Sequence, residues 1–178
     1  MKSLTILLCI FSFSVLHAQY SEGKIYLKND SVSKGLIKVK TFGGIKFKTS
    51  ENSEPLEYDY KTILGYDVKG WQYRYEKKKE TRKPELFKLI LEGKISLYSN
   101  FVYNPGRVDS NGFSIGASSS TVYYIKVKEQ LLAIGNRLKK KDIIIFEDCP
   151  LLIEKIQKKE FKKWDIYDIV EFYNEDCN

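Results

Sequence analysis

From Gly23 to about Gly135 the apolar residues of this chain recur at every second position, and that period of two most constrains its fold. In "GKIYLK" Ile25 and Leu27 share a face, in "GLIKVKT" Ile37 and Val39 do, and in "GIKFKT" Ile45 and Phe47 do. Successive side chains of a strand point to opposite faces, so this alternation marks strands buried on one side. Between the runs lie Asn29-Asp30 and Gly43-Gly44, pairs that tolerate the positive φ of tight hairpin turns. "ELFKLILEGKISLY" repeats the device around Glu92-Gly93, and "TVYYIKVKEQLLAIG" around Glu129-Gln130. Roughly eight to ten short strands at this spacing predict an antiparallel meander or a partly closed barrel.

Two segments interrupt the alternation. "EKKKETRKPE", from Glu76, is a charge run ending at Pro84 and reads as a solvated hairpin tip. "NPGRVDSNGFSIGASSST", from Asn104, is rich in Gly, Ser and Asn and reads as a long mobile loop. After Asn136 the period becomes helical. Cys149, Leu152, Ile153 and Ile156 form one stripe of a helix that starts at Pro150, with Asp148 or Cys149 as its cap. Ile166, Ile169, Val170 and Tyr173 form a second stripe, capped near Asp165. Before them, "NRLKKKDIIIFED" fits either a helix or a strand. The expected class is α+β: an antiparallel β body over 19–135, then a helical hairpin within a C-terminal subdomain, 136–178, packed on the body.

In such a hairpin, the start of the first helix lies beside the end of the second. The turn near Phe161 to Trp164 is almost midway between Cys149 and Cys177, and both cysteines extend inward stripes. Their spacing therefore predicts a disulfide, which in an exported protein is the expected state. The rival is a reactive thiol at a helix N-terminus, but no C-x-x-C spacing supports redox catalysis.

Export is what the first residues imply. "MKSLTILLCIFSFSVLHAQYSEG" has one lysine, an apolar run from Leu4 to Leu16, and Ala18 before polar residues. This is the layout of a secretory signal, too short to remain as a membrane span, with cleavage after Ala18. Cys9 lies among bulky residues and does not read as an acylation site. A core helix or an uncleaved anchor is the alternative. The expected localisation is the periplasm or the cell surface. Cleavage would remove His17, the only histidine, and would leave 29 basic residues facing 23 acidic ones, a formal excess of +6.

A chain without imidazole lacks the usual general base and the commonest metal ligand. "GFSIG", Gly112 to Gly116, matches a nucleophile elbow around Ser114, yet such an elbow needs a histidine partner; only a Ser-Lys arrangement stays open. Glu57 with Asp59, and Asp165 with Asp168, are paired carboxylates, but they sit where a polar strand face and a helix start explain them. No catalytic residue, metal site or cofactor is expected, and a histidine-free hydrolase using carboxylates or Ser114 is the alternative function.

Basic residues cluster in "EKKKETRK", "RLKKKD" and "KIQKKEFKKW", each interspersed with acids. The candidate binding surface is Trp71, Tyr73 and Tyr75 with Lys77, Lys78 and Lys79, suited to an envelope protein, an anionic polysaccharide or a lipid surface. Export argues against nucleic acid as a partner.

"GKIYLKNDSVSKGLIKV", "YKTILGYDV", "LEGKISLY", "FEDCPLLIEKI" and "DIVEFYNEDC" together resemble a group of exported proteins of Bacteroidota that has no known activity. The resemblance is most specific at the C-terminus, in the Asp-Cys-Pro and the terminal Tyr-Asn…Cys. It implies a bacterial envelope location and a β-rich body with a helical tail. Where similar proteins read Asn-Gly-Asp, this chain has Asn29-Asp30 without the glycine.

Overall fold

The computed structural model describes residues 20–41 and 43–177, with only the backbone at Ser114. The expected signal peptide, 1–18, lies outside the described residues. The strands are β1 (Ser21–Leu27), β2 (Val32–Val39), β3 (Ile45–Lys48), β4 (Leu56–Tyr58), β5 (Ile63–Val68), β6 (Trp71–Glu76), β7 (Glu85–Leu91), β8 (Ile95–Asn104), β9 (Arg107–Val108), β10 (Ser114–Ile115), β11 (Ser118–Val127) and β12 (Gln130–Gly135). Ten of them form one open antiparallel sheet in the order β12-β11-β8-β7-β6-β5-β1-β2-β3-β4, and β9 pairs with β10 alone. A 3₁₀ helix (Lys140–Phe146) and two α-helices, α1 (Pro150–Gln157) and α2 (Ile166–Asp176), follow. The chain is thus α+β. The segment that fitted either helix or strand is the 3₁₀ helix.

Turn chemistry sets the hairpins. Gly43 and Gly44 take φ of 70° and 73°, and at the first turn Asp30 takes φ of 62° in place of the missing glycine. Asp is one of the few residues that enters this region at modest cost.

Register decides which side chains meet. Partners across β6, β5, β1, β2 and β3 place Tyr73, Tyr66, Ile25, Ile37 and Phe47 on one face. There they bury a first cluster with Ile45, Ile63 and Val68. Leu97 and Ile125 continue that face on β8 and β11, where the helices cover it. A second cluster there unites Ile95, Leu97, Ile125 and Ile134 with Phe146, Leu152, Ile166, Ile169, Val170 and Tyr173. The opposite face of β7, β8 and β11 buries a third, built from Phe87, Leu89, Tyr98, Tyr124 and Leu131. Beside it, a parallel bridge from Lys78 to Leu131 draws the β6–β7 loop onto β12. The charge run expected to form a solvated tip is therefore tied at Lys78.

The segment from Asn104 is also more ordered than expected. Instead of one long loop, β8 and β11 extend into it and stay paired from Val127↔Ile95 to Ser118↔Asn104, with the β9–β10 hairpin at the end. Thr121 and Val122 favour this extended backbone, which the Gly/Ser composition concealed.

The helices dock through specific polar contacts as well as apolar ones. The Asn174 side chain accepts from the Ile95 N–H and donates to the Ile95 carbonyl, both at 3.0 Å, pairing with β8 as a neighbouring strand would. Gly93 permits this approach, because a Cβ there would lie 2.5 Å from the Asn174 amide. Cys149, the N-cap of α1, is disulfide-bonded to Cys177, the C-cap of α2, with Cα atoms 5.5 Å apart. Both cysteines are buried in the second cluster.

On the opposite face, Asp67 accepts from the Tyr26 hydroxyl and the Arg74 guanidinium, both at 2.8 Å, and Lys24 lies 3.2 Å away. The Arg74 guanidinium also stacks 4.1 Å from the Tyr26 ring centroid. Burial disfavours the Asp67 charge, but the hydrogen bonds from Arg74 and Tyr26 outweigh it and hold the carboxyl below its ordinary pKa.

Two predictions follow from these contacts. Replacing Cys149 and Cys177 together by serine should lower stability in urea unfolding by about 3–4 kcal/mol, the chain-entropy value for a loop of this length. Asp67→Asn should lower it by about 2 kcal/mol at neutral pH. Because the folded pKa is depressed, the contribution of Asp67 is present above the unfolded value, about 3.9, and is lost as pH falls through the folded one. The gap between wild type and Asp67→Asn should therefore close as the medium is acidified. A gap independent of pH would refute the role of the charge.

Candidate functional site

β6 splits the surface expected from sequence. Tyr73 and Tyr75 turn towards the first cluster, Tyr73 against Tyr66 at 5.2 Å and Tyr75 against Tyr60 at 6.4 Å between ring centroids. Trp71 remains 53% exposed, and the Lys88 ammonium sits 3.1 Å from its ring centroid. Lys78 turns to the third cluster instead, over Phe87 at 5.4 Å and Tyr124 at 5.3 Å, in an ion pair with Glu85 at 2.6 Å. Burial works against that ammonium, but Glu85 and Tyr124 prevail and raise its pKa. Lys77 and Lys79 are exposed. The structure thus brings Trp71 and Tyr73 towards Lys88 and leaves Lys78 on the other side of the sheet.

Between the first cluster and the helical cover, part of the sheet face stays open. Its floor is a row of direct register partners, Tyr73, Lys88, Ser99 and Tyr123, from four adjacent strands. Phe101 of β8 and Tyr167 of α2 help line the resulting groove of about 580 Å³. Sequence marked the hairpins that carry Lys88 and Tyr123 but not the four strands side by side.

Glu57 and Asp59 both help line a groove of about 760 Å³, whereas Asp165 and Asp168 lie at the start of α2. Glu57 is held by Lys40 at 2.6 Å and lies 3.7 Å from Lys46; the Lys40 hydrogen bond keeps its pKa below the ordinary value. Asp59 accepts the Lys61 N–H at 2.8 Å in a turn, and Asp165 accepts the Lys162 N–H at 2.8 Å before α2. Ser114 lies in β10 of the small hairpin. Among the described residues no three His, Cys, Asp or Glu side chains gather as metal ligands would.

The larger feature is cationic. The Leu138 N–H donates to the Lys163 carbonyl at 2.7 Å, so the run after Asn136 lies beside the run between α1 and α2. This brings the segment of Arg137, Lys139 and Lys140 beside that of Lys158, Lys159, Lys162 and Lys163, all exposed, while Lys141 lines a separate groove with Lys78 and Lys79. Acids within these runs are occupied elsewhere. Asp142 is buried and accepts the Lys139 N–H at 2.8 Å, Asp165 caps the Lys162 N–H, and Glu160 pairs with Lys155 at 2.8 Å. Of these cations, among the described residues, only Lys158 has a carboxylate partner, Glu154 at 2.5 Å. Trp164, 64% exposed, stands at the edge with the Lys162 ammonium 5.7 Å from its ring centroid. Both runs were legible in sequence as charge clusters. Their adjacency depends on one backbone hydrogen bond between residues far apart in the chain, and their missing neutralisation depends on where the acids turn.

Comparison of the chain with protein-family models, with curated proteins and with solved structures finds no match.

Proposed function

We propose that this is an exported, non-catalytic envelope protein that binds an acidic polysaccharide along the cationic face of its C-terminal region. The observation that carries the reading is the Leu138–Lys163 hydrogen bond, which sets two lysine-rich segments side by side while their acids serve as caps and ion-pair partners. Closely spaced, unneutralised ammonium groups raise the local potential and favour a ligand of repeated negative charge. Exposed Trp164 beside Lys162 offers a flat apolar surface for the C–H face of a sugar ring. An extended polymer can span both segments at once, whereas a small anion engages one or two lysines.

The rest of the reading rests on the sequence. The apolar run over Leu4 to Leu16 and Ala18 support export with cleavage after Ala18. The resemblance to exported Bacteroidota proteins supports a periplasmic or surface location, and a disulfide suits that compartment. In this reading the body is a partly closed β structure, supported by the Lys78–Leu131 bridge, and α1 and α2 form a hairpin stapled at its open end.

Titration calorimetry of residues 19–178 with alginate oligomers is expected to show binding that weakens as salt rises. Reversing Lys139, Lys140, Lys162 and Lys163 to glutamate should weaken it at least tenfold, and Lys77→Glu with Lys79→Glu should leave it unchanged. Equal binding of neutral dextran, or an unaltered affinity in the fourfold variant, would overturn the proposal. Preference for vesicles of anionic phosphatidylglycerol over alginate would replace the polysaccharide by a lipid surface. N-terminal sequencing of the protein from the envelope fraction is expected to begin at Gln19; a chain that begins at Met1 in the cytoplasm would defeat the export reading.

A further inference from the structure

The β8–β11 ribbon carries a second property, independent of the cationic face. β7 pairs with β8 only as far as Ser99, and β12 pairs with β11 only back to Tyr123. Beyond those points Asn100–Asn104 and Ser118–Val122 pair with one another and, among the described residues, with no other strand, so both outer edges of the ribbon are open. Its side chains are unusually apolar for an exposed position: Phe101 is 67% exposed, Tyr103 64%, and Phe113 in the hairpin at its tip 71%.

The charge distribution singles out the same place. Charged residues make up 30% of the chain, yet from Ile95 to Ile125 only Arg107 and Asp109 are charged. Open strand edges are normally guarded by lysine, proline or a bulge. This edge reads "SSSTV", with none of these. Depletion of charge together with exposed aromatic residues is the composition of an interface core. A lipid bilayer does not fit as the occupant, because a two-stranded ribbon buried in hydrocarbon would leave its edge N–H and C=O groups without partners. A strand from protein satisfies them.

We propose that this edge pairs with the same edge of a second copy of the chain, forming a two-fold symmetric dimer through β11. Two copies of residues 19–178, with a formal charge of +6 each, repel over most of their surfaces, and the ribbon is where they meet without opposed lysines. An antiparallel pairing of β11 with itself, centred on Ser120, sets Ser118 against Val122 and Ser119 against Thr121 of the second copy. Every pair contains a small or β-branched side chain, and a two-fold interface must be self-complementary in this way. Phe101 and Tyr103 of each copy then extend a continuous apolar surface across the joined sheets.

Sedimentation velocity of residues 19–178 over roughly 5 to 500 μM tests this, a range suited to an interface of modest area. The wild type is expected to shift reversibly from monomer to dimer. Ser120→Lys and Ser120→Glu should each stay monomeric, since like charges then face each other across the axis, and should match the wild-type melting temperature when both are measured at dilutions where the wild type is monomeric. An equimolar mixture of the two variants should dimerise again, with lysine opposite glutamate. A wild type that stays monomeric throughout, a Ser120→Lys variant that dimerises as the wild type does, or a mixture that remains monomeric would each overturn the proposal. None of these outcomes depends on polysaccharide binding.

Discussion

The ladder between β8 and β11 is the constraint on which the rest of the molecule depends. In its inner half the adjacent pairs Leu97-Tyr98 and Tyr124-Ile125 are apolar, so Leu97 and Ile125 enter the helical cluster while Tyr98 and Tyr124 enter the cluster on the opposite face. This strand pair is therefore buried from two sides, and a one-residue slip would exchange the two cores at once. That anchorage lets the same two strands run outward as a ribbon with little packing of its own. It also places β12 where Lys78 reaches it and β8 where Asn174 grips it.

The cationic face follows from the same packing. Leu138 is buried in the helical cluster, Phe161 packs against that cluster, and the Leu138–Lys163 hydrogen bond closes the gap between their segments. The lysines around these anchors have little choice but to face water together. Asp142 and Asp165 are positioned by backbone N–H groups that need acceptors, and a carboxylate used as a cap has one fewer direction in which to meet an ammonium. Local structural demand thus removes the acids that would otherwise neutralise the patch.

Much of the architecture was legible because periodicity reports burial directly. The alternation of Ile25, Ile37, Ile45 and Phe47 marked one buried face, and the stripes through Leu152 and Ile169 marked the helices. The positions of Cys149 and Cys177 on those stripes gave the cross-link. Three things escaped. The pairing of β1 with β5, which joins two meanders into one sheet, is a long-range choice that no local pattern encodes. The extension of β8 and β11 was hidden by Ser and Gly, whose composition usually means a loop. Lys78 was grouped with Trp71 because the run was continuous in sequence, whereas the chain crosses to the other face of the sheet between them.

The three apolar clusters also divide the chain by order of synthesis. The first takes its buried residues from Ile25 to Val68, while the helical one is incomplete until Cys177. The buried set of the first cluster is thus complete in sequence by Val68, while the later half still lacks its closing helix. The Cys149–Cys177 bond needs the penultimate residue of the chain, so the cross-link joins the start of α1 to the last segment to be made.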